Sequence, residues 1–382
     1  MKKTFPTIYK RTAKGQVQVW TIISEGGAYH TEEGIQGGTI SINDVHTCEP
    51  KNPGKKNATT AADQAVIEAQ AKWEKKLKTG YSETLAGIDT VKFEKPMKGE
   101  KWKDFADKVV FPIQVQMKLN GVRSQNDAES TKSTGGEIFY TIPHIRKALA
   151  PIFEAYPQIF LDGEHFNFDL RQKLNRLVHL VSVVYKPKDL TPELLSESEA
   201  LVQLHLFDGY GFEGITQETP WVERHAAIEK LIKQFKPKYV FVLPYKTMHT
   251  PEELSREMIA NKKTGGEGLM IRWGTCPVKK GRSKYMLKAK HFEDQEFVIE
   301  GFEEGNGAWA SCVKAVICKL NKVSPRGDTN FRSNIEGDEG WLRELWQNRK
   351  KYIGEQATVE YQCLSEYGIP QIPFVRAIRN YE

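Results

Sequence analysis

Residues 116–123 read Gln116-Met117-Lys118-Leu119-Asn120-Gly121-Val122-Arg123. Just upstream, Val109, Phe111, Ile113, Val115 and Met117 recur at every second position, and period-two alternation predicts a strand. Residues two apart share a strand face, so Gln114, Gln116 and Lys118 point one way and Val115 and Met117 the other. Lys118 therefore leaves the core at the end of the strand and faces a cleft. Gly121 lets the backbone turn sharply or come close to a ligand. A lysine in such a cleft can shed its proton and become a nucleophile. A strand lysine more commonly snorkels at the surface, so this stretch gains weight only from partners further along the chain.

Four more stretches occur in order. Leu161-Asp162-Gly163-Glu164-His165-Phe166 places two carboxylates on one face of a second strand. Leu204 to Asp208 is a third, with Phe207 next to Asp208. Glu267-Gly268-Leu269-Met270-Ile271-Arg272 is a fourth, after Gly265-Gly266. Ser283 to Lys290 is a fifth, and its period sends Met286, Lys288 and Lys290 to one face. Singly, each has an ordinary structural explanation as a strand-end acid, a core ring or the wet face of an edge strand. Together they match the needs of a nucleoside triphosphate. Lys288 and Lys290 supply cations for phosphates, and Glu164 and Glu267 supply hard oxygens for a metal ion. Phe207 supplies a platform for a purine, and Lys118 supplies an amine for the α-phosphorus.

The ordered set resembles the covalent nucleotidyltransferases, and within them the ATP-dependent DNA ligases of the small phage and bacterial type. Their motifs run K-x-D-G-x-R, D-G-E, aromatic-Asp, E-G-hydrophobic and K-x-K. Here they stand as Lys118 to Arg123, Asp162 to Glu164, Phe207-Asp208, Glu267 to Leu269, and Lys288-Ala289-Lys290. The resemblance covers roughly residues 100–382. One position departs: Asn120 stands where most of these enzymes carry aspartate, which keeps the acceptor oxygen and loses the charge.

Length and composition agree with a multidomain enzyme. A chain of 382 residues, 39% hydrophobic and 10% aromatic, suggests two or three domains with sizeable cores. No run of eighteen apolar residues occurs, so no transmembrane helix and no membrane partner are expected. The start, Met1-Lys2-Lys3-Thr4-Phe5-Pro6, lacks the apolar segment of a signal peptide. Cys48, Cys276, Cys312, Cys318 and Cys363 are odd in number and show no C-x-x-C spacing. That argues against a disulfide framework or a zinc site and for a reducing cytosol. The net charge of +6 is uneven. Residues 51–103 hold twelve lysines against seven Asp and Glu, a solvated face or a surface that tracks phosphates.

The first 95 residues read as a separate small domain. Val17 to Ile22 suggests a strand with two usable faces, and Asn52-Pro53-Gly54 a turn. Thr60 with Asp63 marks a helix start and Gly80 its stop. Ala65, Ala69, Trp73 and Leu77 fall on one face, with Lys72, Lys75, Lys76 and Lys78 mostly away from it. The pattern is similar to WGR-type domains, which implies a grip on DNA, although the glycine-arginine signature is incomplete. Residues 89–103 read as a linker, residues 96–297 as the nucleotidyltransferase domain, and 298–382 as a third domain. In the last, short apolar runs at 313–320, 357–361 and 374–378, with a helical stripe of Trp341, Leu342, Leu345 and Trp346, fit an OB-fold barrel. The overall class is α+β.

The resemblance implies a lysyl-AMP on Lys118, with ATP as co-substrate, Mg²⁺ as the metal and Mn²⁺ as its substitute. Nicked double-stranded DNA is the implied partner of a monomeric enzyme. It also implies ATP contacts from Gln116, Arg123, Glu164, Phe207, Lys288 and Lys290, and metal ligation by Glu267 with Glu164. Arg123, Lys132 and Arg176 are its candidates for the DNA 5′-phosphate, and Lys72, Lys75, Lys76 and Lys78 for the duplex surface. An RNA ligase, a GTP-using capping enzyme and a non-catalytic nick-binding protein stay open as alternatives. The OB-like end disfavours the first, a missing basic R-x-D-K ending the second, and the presence of Lys118 the third.

Overall fold

The structure is a computed structural model that describes residues 2–89, 95–171, 173–182, 184 and 186–379. The chain divides into two compact units, Met1–Glu94 and Lys95–Glu382. Both mix helices with sheets, so the α+β reading holds.

The first unit is a six-stranded antiparallel sheet carrying one helix. Its centre is the hairpin of Val17–Glu25 and Ala28–Ile35, closed by Gly26 and Gly27, both at positive φ, which glycine adopts without steric cost. The Ala61–Leu77 helix starts at a capping box, with Thr60 and Asp63 each bonding the other's backbone N–H; such a cap is worth about 1 kcal/mol. Ala65 and Ala69 are fully buried against Ile8, Trp20, Ile22 and Tyr29, with Trp73 and Leu77 at the margin. The lysine expectation needs correction. Lys72 Nζ lies 4.6 Å from the Tyr29 ring centre, and Lys76 Nζ lies 5.1 Å from that of Trp20 and 5.0 Å from that of Tyr81. Those two lay their stems over the aromatics of the sheet, because an ammonium gains from an aromatic face while its methylenes cover apolar surface.

The second unit holds two five-stranded sheets and a closed five-stranded barrel. One sheet runs Thr131–Ser133, Val122–Asn126, Phe160–Phe166, Gln203–Tyr210, Val240–Val242. The other runs Lys246–Met248, Ile113–Met117, Gly268–Trp273, Gly281–Lys290, Met97–Lys101. Helices cover the first sheet, and its core includes Ile145, Leu149 and Ile152 of the Pro143–Ala155 helix against Leu161, Leu204 and Leu206.

Three sequence readings are revised here. The strand before Lys118 begins only at Ile113, since Pro112 has no N–H to give a ladder. The linker reading of 89–103 fails for its second half. Met97–Lys101 is an edge strand, parallel to Gly281–Lys290, with Met97 and Gly99 buried and the lysines turned outward, as edge strands favour. Residues 90–94 of that stretch lie outside the described residues. The barrel's first strand starts at Glu293 and passes unbroken through residue 298, where the sequence reading drew its boundary. A strand at Asn330–Ile335 went unread because a buried serine, Ser333, sits between its inward Phe331 and Ile335. Among the described residues, no helix is long and apolar enough to cross a membrane.

Two buried histidines make this unit acid-sensitive. Burial pushes His165 down to about 3 and His205 down to about 4. The unfolded chain, with histidines near 6.5, binds more protons between those values and 6.5, so stability present above pH 6.5 is lost as pH falls below it. The expected loss is about 2 kcal/mol per histidine at pH 5, read as a lower urea midpoint at pH 5 than at pH 7. A His165→Leu variant should show a shallower decline, and an unchanged decline would rule His165 out as its source.

Candidate active site

Strand register assembles the site. Met117 pairs with Leu269, Gln116 with Met270, Met270 with Lys288, and Gly268 with Lys290. The Lys118 backbone N–H continues this ladder to Gly268 O at 2.9 Å. Three separate motifs therefore end side by side. The Lys118 ammonium donates to Glu267 Oε2, and Lys290 Nζ lies 2.9 Å from Glu267 Oε1. The Glu267 side chain is only 7% exposed, against 19% for Lys118 and 23% for Lys290. Burial alone would raise the Glu267 carboxyl, but the two lysines outweigh it and hold the group below the ordinary carboxylate range. Gly268 makes this possible. At φ +143°, a Cβ there would lie 2.2 Å from Ala289 O, so only glycine lets the strands close beside the acid.

Gly121 also permits a close approach, though to protein rather than to a ligand. A Cβ there would lie 2.3 Å from His165 O and 2.8 Å from Glu164 Cγ. The chain after Lys118 thus runs tight against Phe160–Phe166, opposing Arg123 to Glu164 and Gln125 to Asp162. Arg123 then donates two hydrogen bonds to Asp162, at 2.9 and 2.6 Å, a planar fork that lysine cannot reproduce. The two acids read as one pair therefore differ. Asp162 is committed to Arg123. Glu164 has no hydrogen-bond or ion-pair partner among the described residues, and burial drives its carboxyl up to about 7 despite Lys118 and Arg123 nearby.

Phe207 faces the cleft, with the Arg123 guanidinium carbon 5.3 Å from its ring centre. Its neighbour Asp208 turns away and holds the fully buried Arg224 through bonds of 2.7 and 2.8 Å. Gln116 is buried too, with Nε2 donating to Leu243 O at 2.7 Å and Oε1 accepting from Arg272 Nη1 at 2.5 Å. Arg272 was missed from sequence. It lies under the cleft, 4.4 Å from the Trp221 ring centre and 5.8 Å from that of Phe207. The signal was an arginine two residues after Met270, on the strand face that meets Gln116 and Lys288.

The resulting cleft is about 270 Å³, lined by Gln116, Lys118, Arg123, Glu164, Phe207 and Lys288 among others. Burial, Arg282, Lys290 and Lys118 all lower the affinity of Lys288 for its proton. Asn120 does not line this cleft; it borders a second hollow with Arg171, Lys173, Lys262 and Glu267. Lys132 lies off the cleft on an edge strand, 3.7 Å from Asp127, and Arg176 pairs with Glu197 at a helix surface. Lys72, Lys75, Lys76 and Lys78 belong to the other unit.

An amine braced by a buried carboxylate, with further cations and a half-buried ring around one cleft, offers a nucleotide counter-charges, a stacking face and a nucleophilic group. The ATP dependent DNA ligase domain family matches residues 96–290, which contain all of these side chains, and the chain belongs to that family. The DNA ligase of African swine fever virus (isolate Warthog/Namibia/Wart80/1980) is 25% identical over 360 residues, covering 88% of this chain and 80% of the viral one. Among solved structures, a Lig E DNA ligase superposes with a TM-score of 0.59 at 18% identity, over 75% of this chain and 100% of its own. The structure named Pmar-Lig_Pre superposes with a TM-score of 0.62 at 19% identity, over 85% and 74%.

The ion pair has a direct test. In Glu267→Gln, Lys118 and Lys290 lose the carboxylate that holds them side by side, so the amine is no longer fixed at the cleft. Self-adenylylation with ATP should fall about tenfold or more, read as labelled protein per minute from α-labelled ATP. A wild-type rate in this variant would show that Glu267 does not position Lys118.

Proposed function

We propose that this ATP-dependent DNA ligase seals 3′-hydroxyl/5′-phosphate nicks in duplex DNA through a lysyl-AMP intermediate on Lys118. The observation that carries this reading is the Lys118 amine, held by Glu267 and facing a cleft shared with Glu164, Arg123, Phe207 and Lys288. Lys118 Nζ attacks the α-phosphorus of ATP, an N–P bond forms, the bond to pyrophosphate breaks, and the amine proton goes to solvent. The nick's 5′-phosphate then displaces Lys118, and the 3′-hydroxyl displaces AMP. Each step moves a phosphoryl or nucleotidyl group, so positioning and charge neutralisation dominate.

Phe207 offers its face to the adenine, and Gln116 meets the base edge with its backbone, its side chain being spent internally. Arg123 and Glu164 hold the ribose or phosphate, and Lys288 and Lys290 face the departing pyrophosphate. Mg²⁺, with Mn²⁺ as its substitute, fits the donor set, because Glu164 is a half-buried carboxyl that lines the cleft without a partner among the described residues. Glu267 adds an oxygen only when one of its lysine contacts opens. Bound there, the ion would neutralise charge on the phosphates. Lys132 and Arg176 remain candidates for the 5′-phosphate, each needing to leave an acidic partner first. We further propose three working parts in a monomer: a WGR-like duplex grip over 1–95, a nucleotidyltransferase domain from 96, and an OB-fold barrel taken from Glu293. Lys72, Lys75, Lys76 and Lys78 belong to the grip.

Lys118→Ala should abolish labelled enzyme-AMP from α-labelled ATP on a denaturing gel, and Lys118→Arg should fail equally because a guanidinium stays protonated. Label persisting in either variant would move the nucleophile elsewhere.

A chain beginning at Lys95 keeps every residue of the cleft and should still form enzyme-AMP in ATP alone. It should bind nicked DNA more weakly, with a shallower slope of log affinity against log salt, by about 0.9 for each phosphate that the shorter chain no longer neutralises. Affinity and slope matching the full chain would make residues 1–94 a structural cap.

A further inference from the structure

His46 and Cys48 stand two apart on an extended segment, and period two sends both to the same side. That side faces Glu68 of the Ala61–Leu77 helix. Cys48 Sγ and His46 Nε2 each lie 3.6 Å from the same oxygen, Glu68 Oε2. All three donor atoms fall within 4.8 Å of one another. A tetrahedral ion with bonds of about 2.0–2.3 Å places its ligand atoms roughly 3.3–3.8 Å apart, so two of the three edges already have the right length. The other carboxylate oxygen is occupied: Gln64 Nε2 and Lys51 Nζ donate to Glu68 Oε1 at 2.8 and 2.9 Å. Those bonds aim Oε2 between the sulfur and the imidazole, as outer partners orient the ligands of metal sites. The His46 ring packs 4.9 Å from the Tyr29 ring, which limits its rotation.

We propose that His46, Cys48 and Glu68 bind one Zn²⁺-class divalent ion, with a water completing the tetrahedron. A nitrogen, a sulfur and an oxygen donor suit a borderline-soft ion better than Mg²⁺, which prefers oxygen and six-fold geometry. Binding forms Zn–N, Zn–S and Zn–O bonds and breaks the Cys48 S–H bond, releasing one proton to solvent with no change of oxidation state. The ion fastens the segment after the hairpin to the helix, so its role is structural. The sequence contained only an H-x-C and a distant glutamate, with no zinc spacing; the fold brings the three together.

Gln64 and Lys51 fix the Glu68 carboxylate from its far side, and binding displaces the Cys48 thiol proton. The Lys51 ammonium opposes a second cation, but it sits on the far oxygen and is 57% exposed, where solvent and salt screen it.

The test uses full-length protein stripped with chelator and kept in excess Mg²⁺, titrated with Zn²⁺ by calorimetry and with Co²⁺ by absorbance. The expected result is one tight equivalent, a thiolate-to-Co²⁺ charge-transfer band, and a raised melting temperature. Cys48→Ser should lose the band and Cys363→Ser should keep it. His46→Gln changes an exposed residue that a folding defect would not involve, and should weaken Zn²⁺ binding by about 10–100-fold while leaving enzyme-AMP formation unchanged. No band in the folded wild type, a band that follows Cys363, or His46→Gln affinity equal to wild type would each overturn the proposal.

Discussion

One buried carboxylate organises the second unit's chemistry. Glu267 lies between the ammonium groups of Lys118 and Lys290, and each of those charges could not stay half-buried without it. The arrangement depends on backbone before side chains. Gly268 lets the Gly268–Trp273 and Gly281–Lys290 strands approach where any Cβ would strike Ala289 O, and the ladder then delivers three charges to one end of the sheet. A residue larger than glycine there would displace Lys290 and Glu267 together.

Around that pivot, acids of similar appearance divide into frame and function. Asp162 fixes Arg123, and Asp208 fixes Arg224; both are bidentate pairs, the first half-buried and the second buried, whose loss on one side strands the other charge. Arg272 is a second fully buried guanidinium, bonded to Gln116 and set against Trp221. Arg123 and Arg272 line the cleft, while Arg224 ties the Trp221–Phe235 helix to the Gln203–Tyr210 strand. Glu164 alone among the cleft carboxyls is left uncommitted, and its carboxyl raised to about 7 records that cost.

The strands that bear the motifs were legible because each alternates cleanly and ends in a residue type with a chemical task. Which motif residue acts and which only supports was not legible. Phe207 and Asp208 are adjacent, yet one lines the cleft and the other anchors a helix, and only the packing of Arg224 separates them. Strands without a clean apolar alternation were hardest to read. Met97–Lys101 looks like linker because its outward lysines dominate its composition, and Asn330–Ile335 looks like loop because Ser333 interrupts its apolar face. In the first unit the helix was readable from its cap and its stripe, whereas the inward lean of Lys72 and Lys76 depends on rings contributed by distant strands.

Charge accounting also bears on how a polyanion would enter the cleft. Lys118 and Lys290 share Glu267, and Arg123 is held by Asp162, whereas Lys288 forms no ion pair among the described residues. In the proposed reaction, a triphosphate would therefore meet Lys288 first at no cost in existing ion pairs. Engaging Lys290 next exchanges one anion for another, which costs far less than exposing a bare charge. That exchange frees an oxygen of Glu267 at the moment phosphate charge arrives beside it, and it loosens the contact that holds the Lys118 amine. The same ion pairs that fix the resting lysine thus supply the route by which substrate binding frees it.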